Sequence, residues 1–389
     1  MNYGFISSFM PIKNRNLFRL TRFILLKLPY ILQVLAKFKK PAKKILIIKT
    51  DAIGDYILFR NFIEEVKKVA QFQDYQIDLI GNILWQDVAL KYDKNFVFQF
   101  YFVNANDLYH QPLQVLKLAW KLFCQNYSLV LQPSYTRNFI NDGLAALTAA
   151  KQIIGFEGDF EAITQKIKKK TDQFYTKKIV LPTSIYFEFD RTQFFFETVL
   201  KKQITLKGPS LPVESFTQNY VAFCLGAGNQ KRSWEATKFL SLAQLILQQT
   251  NYNIYLLGSL DAASDTAFIG ANLSSERVKN LSQKTTLSEF IQIIAQSALV
   301  ICNETSAVHI ASACGKKVVS VLGGGHFERF APYPIYFINK PVFLFEKMPC
   351  YHCNWLCKFE TAVDEPFPCI SNVTLNQVWK EVKQLLNIN

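Results

Sequence analysis

Three short stretches carry residues whose types and spacing suit chemistry. The first is "ILIIKTDAIGDYILF" (45–59), an apolar strand feeding a turn with two acids and one glycine, then a helix expected to begin near Asp55. A carboxylate at the carboxyl end of a strand faces whatever lies above the sheet. Asp55 there is either a helix cap or a general base, and Lys49 close by is expected to hold it ionised, as a base requires. Lys49 and Gly54 complete this turn. The second is "CLGAGNQKRSW" (224–234), where Gly226 and Gly228 let backbone pass close to a ligand and Lys231 and Arg232 offer charge to a phosphate. It fits neither the dinucleotide fingerprint nor the P-loop pattern.

The third is "CNETSAVHIASACGKKVVSVLGGGHF" (302–327). Thr305, Ser306 and Ala307 are small, so the first amides of the helix they open are accessible, and a helix N-terminus with its positive dipole end suits a diphosphate. His309, one turn in, is either a ligand contact or a packed core histidine. Glu304 either binds sugar hydroxyls or caps the helix. After the next strand, Gly324 in "GGGH" is expected to allow a second close backbone approach.

The tail "CYHCNWLCKFETAVDEPFPC" places Cys350, Cys353, Cys357 and Cys369 in a C-x2-C-x3-C-x11-C array. Such an array is a structural zinc site, a set of packed free thiols or a pair of disulfides. The other four cysteines are scattered among apolar residues and read as buried small hydrophobes.

The elements that must position these residues follow from periodicity. From Lys44 onward, short runs rich in Ile, Val and Leu alternate with helical stretches, the pattern of parallel strands covered on both faces by crossover helices. "TLKGPSLPVESFTQN" interrupts the alternation before "YVAFCLGAG" restarts it. Two α/β halves result. The expected layout is a basic amphipathic segment (1–43), a Rossmann-like domain (44–205), a linker (206–219), a second Rossmann-like domain (220–345), the Cys-rich segment (346–370) and a terminal helix (371–389). Thr286 and Glu289 have the spacing of a capping box.

Charge is uneven. Of the formal net +14, eleven cations, Lys13 to Lys49, precede the first acid, Asp51. They are interleaved with Leu, Ile and Phe, and no apolar run reaches the ~20 residues that span a bilayer. The segment reads as a surface-lying amphipathic anchor for an anionic membrane, or as a basic helix packed on the body of the protein, with Pro29 expected to kink it. Nucleic acid is not an expected partner, because the charge is concentrated at one end and the Cys cluster lacks basic and aromatic interleaving. A convincing secretion signal is lacking, and the expected compartment is the cytoplasm.

In their order, the blocks "IIKTDAIGDYIL", "GAGNQKRSW" and "CNETSAVHIASACGKKVVSVLGG", followed by the Cys-containing tail, resemble glycosyltransferase family 9, the ADP-heptose:lipopolysaccharide heptosyltransferases and their relatives. The resemblance implies a GT-B fold, two Rossmann-like domains facing a cleft, with the last helix returning to the first domain. It implies inverting, metal-independent transfer of heptose or a related sugar from a nucleotide-diphosphate sugar to a lipopolysaccharide-core or other glycolipid acceptor at the cytoplasmic face of a membrane. Asp55 would be the base, and Lys231 or Arg232 would neutralise the departing diphosphate. Thr305, Ser306 and His309 would hold that diphosphate and Glu304 the donor sugar. Glu304 and Ser306 stand where the family usually carries Asp and Gly. The competing chemistry on such a scaffold is a nucleotide-sugar epimerase or hydrolase.

Overall fold

The computed structural model describes residues 14–388 apart from 215, 274 and 363. Its contacts divide into two units, Met1–Ile185 with Asp190–Ile204, and Tyr186–Phe189 with Thr205–Asn389. The first holds β1 (Ala42–Lys49), β2 (Gln76–Asn82), β3 (Gln99–Val103), β4 (Tyr127–Gln132), β5 (Gln152–Phe156) and β6 (Lys177–Ile179). The second holds β7 (Tyr220–Cys224), β8 (Asn253–Leu257), β9 (Val278–Asn280), β10 (Leu299–Asn303), β11 (Val318–Val321) and β12 (Val342–Leu344).

Strand order is β3-β2-β1-β4-β5-β6 in one sheet and β12-β11-β10-β7-β8-β9 in the other, and every named pairing is parallel. Both are the doubly wound Rossmann order, in which the chain reverses direction across the sheet at one point, β1/β4 in the first and β7/β10 in the second. Ile45 to Ile48 on β1 and all of β7 and β10 are buried, as strands covered on both faces must be. The capping box at Thr286 and Glu289 is present.

The edges of this scheme take specific forms. The helix Arg15–Ala36 opens on the Asn14 side chain and runs unbroken through Pro29. It buries Ile24, Leu25 and Leu32 with Val115, Leu122 and Leu144 in the first core, so it packs as part of that domain. Residues 1–13 of the basic segment lie outside the described residues. The stretch 206–219 is strapped to the second unit rather than free, the amides of Leu211 and Gln218 donating to the carbonyls of Ala313 (2.9 Å) and Gln296 (2.8 Å). The terminal helix Leu375–Leu386 buries Val378 and Val382 in the second core, against the helix Ala236–Gln249 and β11 and β12, instead of returning to the first domain. Its apolar stripe is matched by the face those elements leave open. Among the described residues no helix is long and apolar enough to cross a membrane.

Candidate functional site

Asp55 lies at the carboxyl end of β1, in the first turn of the helix Ile53–Phe59. That helix begins two residues earlier than expected, with Ala52 at the cap and no side-chain cap bond. Asp55 is therefore not the capping residue. The fully buried Lys49 pairs with Asp51 at 2.7 Å and bonds Ser134 at 3.3 Å, and the Ser134 hydroxyl donates to Asp51 at 2.6 Å. Asp51 thus shares the Lys49 ammonium that was expected to serve Asp55. Thr50 donates to Asn141 (2.7 Å), Asn82 to the Thr50 carbonyl (2.9 Å) and the Trp85 indole to the Asp51 carbonyl (3.1 Å). At the adjoining end of β4, both amide atoms of the buried Gln132 side chain are without a partner, as is Nδ2 of Asn141.

The second reversal point is built differently. Asn303, at the end of β10, accepts from the Trp234 amide (2.9 Å) and donates to the Leu225 carbonyl (2.6 Å) and the Ser233 hydroxyl (3.1 Å). This fixes the Lys231–Trp234 segment against the loop after β7. In that loop Gly228 has φ +68°, a conformation that favours glycine. Asp261, after β8, accepts from the Ser259 hydroxyl (2.5 Å) and from the amides of Gly228 (2.8 Å) and Ala227 (3.0 Å), and these bonds, the hydroxyl's first, hold its carboxyl below the usual carboxylate range despite burial.

Between these loops sit Arg232 and Glu304. Glu304 is 8% exposed, and one of its carboxylate oxygens has no hydrogen-bond partner. Burial pushes its carboxyl up to about 7, against the opposing pull of Arg232 and the Gly323 backbone. Burial likewise lowers the Arg232 guanidinium, with Glu304 opposing, and its Nε is buried without a partner. In both groups burial outweighs attraction, as for two opposite charges that sense each other without forming an ion pair. A buried acid and a half-buried cation, each with a buried atom left without a partner, are a ready contact set for a polar ligand.

The helix Ser306–Ala313 starts at Thr305, whose hydroxyl accepts from the Ala307 amide at 3.4 Å. One of the amides expected to be open is therefore capped from within. Thr305 and Ser306 are half-buried. His309 is buried, its Nδ1 2.7 Å from the Tyr333 hydroxyl, and burial pushes it down to about 4, so at neutral pH it is an uncharged imidazole.

The glycine stretch is corrected as well. Side chains at Gly324 and Gly325 would collide with Tyr351 and Trp355 of the Cys-rich segment. The close approach they permit is that of the protein's own tail, whose His352 and Asn354 amides donate to Gly324 (2.8 Å) and Gly325 (2.9 Å). Trp355 then lies with its ring 4.1 Å from the Arg232 guanidinium. Lys231 turns to the same segment, bonding the Thr361 carbonyl and hydroxyl at 3.1 Å each. Of the two cations, Arg232 is the one that senses Glu304. Cys350, Cys353, Cys357 and Cys369 are free thiols lining one small cavity. Among the described residues no three His, Cys, Asp or Glu side chains are gathered as a metal-ligand set.

Residues 116–353 match the sequence model of glycosyltransferase family 9 (heptosyltransferase), more than half of the chain. The chain belongs to glycosyltransferase family 9. A curated relative, lipooligosaccharide heptosyltransferase 2 of Haemophilus influenzae, is 31% identical over 108 residues, 26% of this chain and 31% of the relative's length. The ADP-heptose lipopolysaccharide heptosyltransferase II of E. coli superposes with a TM-score of 0.67 at 16% identity, covering 88% of this chain and 98% of that one. An E. coli heptosyltransferase solved with ADP-2-deoxy-2-fluoro heptose gives a TM-score of 0.64 at 14% identity, covering 88% and 99%. The fold is that of these GT-B proteins.

The family 9 match begins beyond β1 and so leaves out the turn that carries Asp55, which rests on its own geometry. Sequence reasoning missed Gln132, Asp51, Asp261 and Trp355. Asp51 stood in the quoted motif beside Lys49, and charge opposite charge was the available signal. Asp261 is three residues past Gly258 at a strand end, and Gln132 ends a strand; neither spacing marks it out.

Proposed function

We propose that the chain is an inverting glycosyltransferase that takes a sugar, heptose or a related one, from a nucleotide-diphosphate donor such as ADP-heptose. The acceptor is a hydroxyl of a lipopolysaccharide core or similar glycolipid at the cytoplasmic face of an anionic membrane. The observation that carries the reading is the half-buried Arg232, its Nε without a partner, beside the buried Glu304, one carboxylate oxygen likewise without a partner, at the second reversal point of a family 9 chain. The diphosphate satisfies Arg232 and the sugar hydroxyls satisfy Glu304, with Thr305 and Ser306 at the helix start and neutral His309 completing the donor contacts.

In the transfer, Asp55 accepts the proton of the acceptor hydroxyl as its oxygen bonds the anomeric carbon. The bond from that carbon to the diphosphate oxygen breaks on the opposite face, which inverts the configuration. Arg232 stabilises the negative charge that develops on the leaving diphosphate, the part a metal ion plays elsewhere. Family membership favours transfer to an acceptor over epimerisation or hydrolysis of the donor.

The test is to incubate the protein with ADP-heptose and a truncated lipopolysaccharide acceptor, with and without a chelator, and follow acceptor mass and nucleotide release. An acceptor gaining one heptose residue, chelator or not, supports the reading. Nucleotide release that is independent of acceptor would instead identify a hydrolase.

A further inference from the structure

The N-terminal helix has two apolar faces. One is spent on the first core through Ile24, Leu25 and Leu32. The other points to solvent and carries Leu20, Phe23, Ile31 and Val34, with Phe23 62% exposed, and Phe38 just past the helix end is 87% exposed. Arg19, Lys27 and Lys37 are interspersed on that outward side and exposed. The helix Pro112–Cys124 packs beside it on the same core and exposes Leu113, Leu116 and Trp120, at the i, i+3, i+7 spacing of one helix face, next to exposed Lys117 and Lys121. Apolar side chains in such number do not serve a solvent-facing surface.

At the end of the N-terminal helix lies an open groove of about 410 Å³, lined by Lys37, Lys39, Lys40 and Lys151 with Phe123 and Thr148, and by no acid. Lys39 is braced there, its ammonium donating to the Phe123 carbonyl at 2.7 Å. Among the described residues none of Lys37, Lys39, Lys40 and Lys151 forms an ion pair, whereas Lys43, just beyond, is met by Asp74 at 3.4 Å. A second copy of the chain would bring the same cations to the face and be repelled. A surface of phosphodiester headgroups over hydrocarbon offers the complementary charge and the apolar layer at once.

We propose that the outward faces of these two helices dock the chain on an anionic bilayer, their apolar side chains entering the headgroup boundary and a phosphate headgroup occupying the lysine-lined groove. This deepens the transferase reading by naming the surface that meets the membrane, and rests on that reading only for why the membrane is sought.

The test is flotation of the full chain with vesicles of phosphatidylcholine alone and of phosphatidylcholine mixed with phosphatidylglycerol. Wild-type protein is expected to float with the mixed vesicles only. Phe23→Glu/Ile31→Glu should weaken this about tenfold or more, and Lys37→Glu/Lys40→Glu by at least about fivefold for each cation removed. Tryptophan fluorescence of the unmodified protein should be quenched by brominated lipid, a readout that does not depend on the charge variants folding, and the quenched share should be lost in Trp120→Phe. Absence of wild-type flotation, undiminished flotation of Phe23→Glu/Ile31→Glu, or a dimer that this variant disperses would each overturn the proposal. Nucleoside diphosphate binding, measured on the same samples, is expected to be equal in all of them. Its presence without flotation sinks the docking face alone, and flotation without it sinks the transferase alone.

Discussion

The two reversal points share one topology and treat charge in opposite ways. In the first domain the buried ammonium of Lys49 is met by Asp51 and Ser134, and the groups left open are neutral amides, those of Gln132 and Asn141. In the second the open groups are ionisable, Arg232 and Glu304, held near each other without an ion pair. Neutral donors and acceptors suit the hydroxyls of a sugar acceptor, whereas an unspent guanidinium suits a diphosphate. On the proposed function, one scaffold offers an uncharged polyol site and an anion site according to which side chains are already paired.

The comparison is broken most severely by removing the proposed base. Asp55→Asn should lower the transfer rate by about 10²–10⁴-fold while leaving nucleotide affinity unchanged, which single-turnover kinetics and calorimetry would separate. Arg232→Ala strikes the other site and should cost about 10²–10³-fold in kcat, together with weaker nucleoside diphosphate binding. A milder change is Trp355→Leu, which removes the ring beneath Arg232. Nucleotide affinity should fall about 2- to 30-fold, the span of a cation–π contact, with Trp355→Phe in between. Gln132→Ala should raise KM for the acceptor by roughly tenfold or less, the worth of a hydrogen bond, without touching the donor.

The acid of the second site also gives a signature in stability. Because burial raises Glu304 to about 7, the folded chain keeps a proton that the unfolded chain has already released. Its contribution is complete below the ordinary carboxylate range and is lost as pH rises through about 7. His309, pushed down to about 4, runs the other way, its contribution present above the ordinary histidine range and lost as pH falls toward about 4. Glu304→Gln should therefore show a smaller fall in Tm between acidic and mildly alkaline buffer than wild type, by differential scanning calorimetry without nucleotide.

Much of this was legible before any coordinates. The strands β1, β4, β7 and β10 are continuous apolar runs, and such runs ending in glycine or acid turns mark both reversal points. The three-residue strands β6, β9 and β12 were invisible, because three residues carry no period. The direction of the last helix was misjudged for a different reason, since an amphipathic stripe announces that a face will be buried but not against which core. Arg232 could not be told from Lys231 by spacing. The choice is made by Thr361 and Trp355, more than a hundred residues downstream, which claim one cation and brace the other. For the same reason the glycines before His326 were credited to a ligand, although their neighbours are Tyr351 and Trp355.

The most direct test of the central claim is a thermal-shift panel of ADP, UDP, GDP and CMP against wild type, Arg232→Ala and Asp55→Asn, since a ligand bound only by the folded state raises Tm. The account predicts that one nucleoside diphosphate stabilises wild type and Asp55→Asn alike and fails to stabilise Arg232→Ala. Stabilisation that survives in Arg232→Ala and disappears in Asp55→Asn would place the anion site in the wrong domain and contradict it.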